Sequence, residues 1–133
     1  MPISAEDYVA IDDLLGRYCW LVDAGDEEGW AALWEDQGVF TGIAPEPIVG
    51  REALKAVPRD VRSIADGKMR HFVGNLHCDY ADDGKAVVIA RYYNFVTSWM
   101  QGGALVCLAS STVTLGRTAT GWLIRRNDTV TLA

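Results

Sequence analysis

Lys85-Ala-Val-Val-Ile-Ala-Arg-Tyr-Tyr-Asn-Phe-Val-Thr-Ser-Trp-Met100, the break Gln101-Gly-Gly103, and Ala104-Leu-Val-Cys-Leu-Ala-Ser-Ser-Thr-Val-Thr-Leu-Gly-Arg117 decide the fold. Side chains in these two runs follow a period of two, the periodicity of a strand. A strand of about 15 residues at ~3.3 Å per residue spans roughly 50 Å, longer than strands usually run. Strands of that length must curve, and bulges are the usual place, so the sheet is expected to wrap into a half-barrel. Two further runs flank them, His71–Tyr80 before and Trp122 to about Leu132 after. Asp82-Asp-Gly84, Gln101-Gly-Gly103 and Thr118-Ala-Thr-Gly121 join the four as short hairpins containing glycine.

Upstream of Arg70 the period is helical. Ile11, Leu14, Leu15, Tyr18, Leu21 and Val22 form one apolar stripe from Ala5 to about Ala24. Ser4, three residues before Asp7, is a helix start, and Gly25 closes that helix. Asp26 then caps a second, short helix carrying Trp30, Leu33 and Trp34. Gln37–Ile43 reads as a strand. Gly50 to about Ile64 reads as a third helix, interrupted or ended near Pro58 because the residue before a proline avoids the helical region. Helices followed by an antiparallel meander give an α+β fold, with the helices laid in the concave face of a bent sheet. The result is a cone whose interior end is a pocket, within one domain spanning 1–133.

Composition excludes several classes. A net charge of −6 argues against binding a phosphate backbone, so nucleic acid is not an expected partner. The amino terminus has no basic segment followed by an apolar run, and no run of 18 apolar residues could span a membrane. Cys19, Cys78 and Cys107 are widely spaced, form no CxxC pair and read as reduced thiols of a cytoplasmic protein. No phosphate loop, nucleophile elbow or dinucleotide fingerprint occurs, so no cofactor is expected and the chemistry should be acid–base. His77-Cys78-Asp79 does not make a metal site, because successive strand residues point to opposite faces. Arg125 and Arg126 alternate faces, so at most one enters a pocket, and Arg51-Glu52 reads as the solvated start of a helix.

Chemistry concentrates in Tyr18-Cys-Trp-Leu-Val-Asp23-Ala-Gly-Asp26 and Arg70-His71. These stretches supply a phenol, a carboxylate and a base to a chain that is otherwise core and hairpins. Asp26 is a cap. On an ideal helix Tyr18 and Asp23 lie roughly 140° apart, so a site using both is expected to need the helix unwound near Gly25. Trp20, Trp34, Phe40 and Trp99 would supply apolar walls around a small hydrophobic, ring-like ligand.

The stretch Tyr18 to Asp26, with Trp30-Ala-Ala-Leu33, Gly38-Val-Phe40, Ile48-Val-Gly-Arg-Glu-Ala-Leu54 and the closing Gly121-Trp-Leu-Ile-Arg-Arg126, resembles the cone-shaped, cystatin-like nuclear-transport-factor-2-like superfamily. Arg70-His-Phe-Val-Gly-Asn75 is similar to its SnoaL-like branch, which takes in scytalone dehydratase and lindane dehydrochlorinase. That resemblance implies that Asp23 and His71 form a carboxylate–histidine dyad, with His71 the general base and Asp23 its orienter. Tyr18 matches the oxyanion donor of ketosteroid isomerases, whose base would fall near Thr41, a hydroxyl unable to replace a carboxylate. Scytalone dehydratase carries a second histidine on the next strand. Here the nearest polar groups on that strand are Arg91, Tyr92, Tyr93 and Asn94, and of these Tyr93 is the second candidate phenol.

The expected function is a cofactor-independent lyase or isomerase, acting by elimination, isomerisation or cyclisation on a small hydrophobic molecule. The alternative is a noncatalytic binding domain, or a subunit like the β chain of aromatic-ring dioxygenases. His71 and Asp23 within hydrogen-bond reach inside an apolar cavity would favour the enzyme; either one facing solvent would favour the alternative. Val87, Ile89, Val106, Leu108, Val113 and Leu115 make the sheet apolar on more than one face, so a homodimer through the sheet is expected, as the resemblance also implies.

Overall fold

The computed structural model describes Met1–Ala133. Helix α1 spans Ala5–Ala24, with Ser4 Oγ accepting from the Asp7 N–H and Ile11, Leu14, Leu15, Tyr18 and Val22 buried along one side. Gly25 ends it in the left-handed conformation at φ 72°. From there the N–H groups of Gly25 and Asp26 return to the carbonyls of Val22 and Leu21. A side chain at Gly25 would also strike Arg62 Cδ at 2.7 Å. Helix α2 covers Glu27–Ala31 behind the Asp26 cap. Trp34 does not extend that helix; it opens strand β1, Trp34–Thr41.

A two-residue strand β2, Ile48–Val49, precedes helices α3, Arg51–Leu54, and α4, Ala56–Ile64. Pro58 lies in the first turn of α4 and does not end it, so Val57 is helical. Its effect falls one turn upstream: the proline ring has no N–H for the Leu54 carbonyl, and the helix is interrupted at Lys55. Arg51 is not simply solvated, since its guanidinium donates to the Trp34 carbonyl.

Strands β3, Met69–Tyr80, β4, Val87–Ser98, β5, Ala104–Arg117, and β6, Trp122–Thr131, complete a six-stranded curved, unclosed sheet in the order β2-β1-β6-β5-β4-β3. All neighbours are antiparallel except β1 and β6, which run parallel. Register slips mark the bulges the long strands require: between Gly74 and His77 on β3, at Val106 of β5 opposite Val96 and Thr97 of β4, and at Arg125 of β6 opposite Thr114 and Leu115 of β5. At the first, Asn75 adopts φ 56°, a conformation asparagine tolerates better than most residues. One inserted residue reverses the alternation. His71 and Val73 point into the cone before it, and Cys78 and Tyr80 after it.

The core fills the concave side, where Ile11, Trp30, Trp34, Leu54, Val88, Val113, Leu115 and Ile124 are sealed from solvent. Of the residues expected to make the sheet apolar on more than one face, Val113 and Leu115 belong to the inner one. Outside, Phe72, Phe95 and Leu108 stand in register across three strands, with Tyr93 and Val130 in the adjoining row. The β6 bulge leaves both arginines exposed: Arg125 pairs with Glu35 and Arg126 with Asp128. Exposed His77 lies near Asp79 on the outer side. No helix is long and apolar enough to cross a membrane.

Candidate active site

Near the end of α1 and the start of β3, Asp23 and His71 join the two elements. Asp23 Oδ1 lies 2.6 Å from His71 Nδ1, and Asp23 Oδ2 accepts the His71 backbone N–H at 2.9 Å. Both side chains are shielded, His71 to 12 % exposure and Asp23 to 8 %. A carboxylate can only accept from Nδ1, so the pair holds the proton on Nδ1 and leaves Nε2 as the basic nitrogen. The second contact is structural as well. β3 is the sheet edge, and Asp23 covers one of its unpaired N–H groups while the Tyr8 hydroxyl donates to the Leu76 carbonyl farther along.

α1 stays regular through Ala24, so no unwinding accompanies the pair. Tyr18 and Asp23 project from different sides of α1 because the curved sheet meets the helix along more than one direction. Asp23 faces the β3 edge, and Tyr18 faces inward to β6.

A cavity of about 530 Å³ opens on the inner side of the dyad, bounded by α1, α4, the segment after β1 and the inner faces of β4, β5 and β6. Tyr18, Phe40 and His71 line it together with Asn94, Val96, Ala109 and Thr129, and exposed Ile43 and Ile64 form its rim. Gly42 lets the rim segment lie against β6. At φ 94° it comes so near that a Cβ would sit 1.7 Å from the Thr129 carbonyl oxygen.

Four of the aromatic residues expected in this pocket lie elsewhere. Trp34 packs among Trp30, Tyr18 and Phe40 in the closed core and does not line the cavity. Tyr93 is on the outer face at 44 % exposure, since the inward positions of β4 are Val88, Ala90, Tyr92, Asn94 and Val96. Trp20, 79 % exposed, and Trp99, 55 % exposed, flank a separate groove of about 540 Å³ on the far side of the dyad, with Phe72 and Arg70. His71 lines both spaces.

From the cavity wall at Thr129 and Tyr18 runs a buried polar chain that alternation could not show. Ser111 and Thr129 share a hydroxyl contact of 2.9 Å, Thr129 Oγ1 donates to Asn127 Oδ1, and Asn127 Nδ2 donates to the Tyr18 hydroxyl at 3.4 Å. Burial pushes the Tyr18 phenol well above its ordinary titration range. The phenol therefore stays neutral, accepts from Asn127, and retains its own proton for an acceptor in the cavity. The Cys19 thiol is pushed up to about 12 by burial and by the Asp23 charge, and Cys78 up to about 11 chiefly by burial, so neither is a thiolate at neutral pH. No group of three or more His, Cys, Asp or Glu is placed to hold a metal.

Comparison with known proteins agrees with this architecture. A nuclear-transport-factor-2-like protein with a cystatin-like fold from Novosphingobium aromaticivorans is 25% identical, with a TM-score of 0.85 over 96% of this chain and 82% of that one. Aln2 from a Streptomyces species is 26% identical, with a TM-score of 0.87 over 98% and 94%. ActVI-ORFA from Streptomyces coelicolor, at 21% identity and a TM-score of 0.82 over 93% and 96%, shares the fold. No curated protein is significantly similar in sequence. The SnoaL-like domain model matches residues 4–128, nearly the whole chain, and the protein belongs to the SnoaL-like family of the nuclear-transport-factor-2-like superfamily.

Proposed function

We propose that this protein is a cofactor-independent lyase or isomerase in which His71 removes a proton from carbon in a small, largely apolar cyclic substrate. The reading is carried by one observation: the His71–Asp23 pair, 2.6 Å apart and shielded, in the wall of an apolar cavity. Nε2 takes the proton, and Asp23 stabilises the imidazolium that results. The Tyr18 hydroxyl donates to the oxygen on which charge develops, a role that needs a neutral phenol. Membership of the SnoaL-like family supports a reaction of this class.

Exchange of acidic C–H for deuterium tests the step without the natural substrate. The bicyclic ketone 2-tetralone in D₂O, followed by proton NMR, should exchange faster with the protein than with imidazole at equal concentration. His71→Gln should lower that rate by about 10²–10⁴. Binding without accelerated exchange would instead assign the cavity to a noncatalytic ligand-binding domain.

We also propose a homodimer through the outer sheet face, on the strength of exposed Phe72 and Phe95, in register with half-buried Leu108, and of exposed Tyr93 and Val130 beside them. Sedimentation showing only monomer at micromolar concentration would refute it.

A further inference from the structure

Four buried polar side-chain atoms have no hydrogen-bond partner in the protein: the indole nitrogens of Trp30 and Trp34, the Tyr92 hydroxyl, and Asn94 Oδ1. Trp30, Trp34 and Tyr92 are sealed in the core, and of the four only Asn94 lines the cavity that holds His71. A buried amide oxygen without a partner is costly and rare, and in a cavity wall it is a place for a ligand's polar group.

Register fixes where that group must sit. Asn94 pairs with Val73 on β3 and Ala109 on β5, and His71 pairs with Val96. His71 and Asn94 are thus diagonal neighbours on the inner face, with side chains starting roughly 7 Å apart. One substituted six-membered ring bridges such a span. Ala109, the smallest residue with a Cβ, leaves the amide uncovered on one flank, and Val73 and Val96 make its other surroundings apolar.

We propose that Asn94 orients the substrate: its carboxamide hydrogen-bonds a hydroxyl on an otherwise apolar ring, about one ring-width from the carbon that His71 deprotonates. The inference rests on the general-base reading of the cavity and adds which side chain reads the substrate and what it reads. A hydroxyl suits this role because it can donate to the amide oxygen or accept from the amide nitrogen.

The probes are 2-naphthol and 2-methylnaphthalene, which exchange a hydroxyl for a methyl group of similar size. Each is titrated into the wild-type protein, Asn94→Leu and His71→Gln, with amide NMR shifts on β3, β4 and β5 locating the bound ring. The quantity read is the ratio of the two affinities. It should fall about tenfold or more in Asn94→Leu, the loss of one buried hydrogen bond, and stay within about twofold in His71→Gln. Asn94→Val, suited to a strand, replaces the leucine variant if circular dichroism shows that variant unfolded. A ratio unchanged by loss of the amide, or collapsing only in His71→Gln, overturns the role of Asn94 and leaves the cavity reading intact. Failure of both probes to bind the wild-type cavity overturns both.

Discussion

Replacing Asp23 with asparagine should move a proton from one nitrogen of His71 to the other. Asp23 Oδ2 accepts the His71 backbone N–H at 2.9 Å, and Oδ1 lies 2.6 Å from Nδ1. A backbone N–H can only donate, so the asparagine oxygen must take that position. The amide NH₂ then faces Nδ1 and requires it to accept, which places the imidazole proton on Nε2. The nitrogen available to a substrate becomes a donor, and general-base catalysis, worth about 10²–10⁴ in rate, is lost with little change in shape. The stability cost is modest, because two charge-assisted hydrogen bonds become two neutral ones. The difference amounts to about 1–2 kcal/mol in a shielded site. Nitrogen-15 NMR of the histidine ring reads the tautomer directly, and urea denaturation reads the stability. Retention of the Nδ1–H tautomer in Asp23→Asn, or full exchange activity despite the switch, would refute the reasoning. The double variant with His71→Gln should be little slower than either single variant, because the two groups act as one unit.

Asp7 accepts a bidentate contact from Arg117, which with the Tyr80 hydroxyl holds its carboxyl down at about 2. Because the folded value lies below the ordinary 3.8, the stabilisation is complete above that value and disappears as pH falls through about 2. Allowing for solvent screening at partly exposed Arg117, Asp7→Asn should cost on the order of 1–2 kcal/mol at neutral pH and flatten the stability profile between about pH 4 and 2, read by urea midpoints across that range. Gly42→Ala should destabilise by about 2–4 kcal/mol in thermal denaturation, since a methyl group there collides with the Thr129 carbonyl at positive φ. Gly16→Ala should instead stabilise by about 0.5–1 kcal/mol, because nothing lies within 4 Å of the added carbon inside α1. Trp34→Ala should cost about 3–5 kcal/mol as a core truncation. Trp20→Ser should leave affinity for 2-naphthol in the cavity unchanged, because this tryptophan lines only the outer groove.

Local chemistry determined a good part of this protein. Periodicity gave α1 and its stripe, Ser4 and Asp26 gave the helix starts, and Gly25 gave the stop, because capping and amphipathic spacing involve residues only a few positions apart. The length of the 85–117 runs required curvature, and the register slips supply it. Asp23 and His71 were legible through family resemblance, although nothing within either segment encodes their meeting across 48 positions. Tertiary structure decided the rest. A period of two says that neighbouring residues face opposite ways without saying which way is inward, so Tyr93 and Asn94 were indistinguishable until β4 was laid on the core. Asn75 reverses the phase of β3, and the β6 bulge turns both Arg125 and Arg126 to solvent; one inserted residue has that effect and leaves no mark in composition. Trp34 was misplaced because its helical spacing from Trp30 competed with pairing to β6, a contact between residues far apart in the chain. The chain Ser111–Thr129–Asn127–Tyr18 is likewise assembled from three separate elements, and only their packing brings its hydroxyls and amide within hydrogen-bond distance.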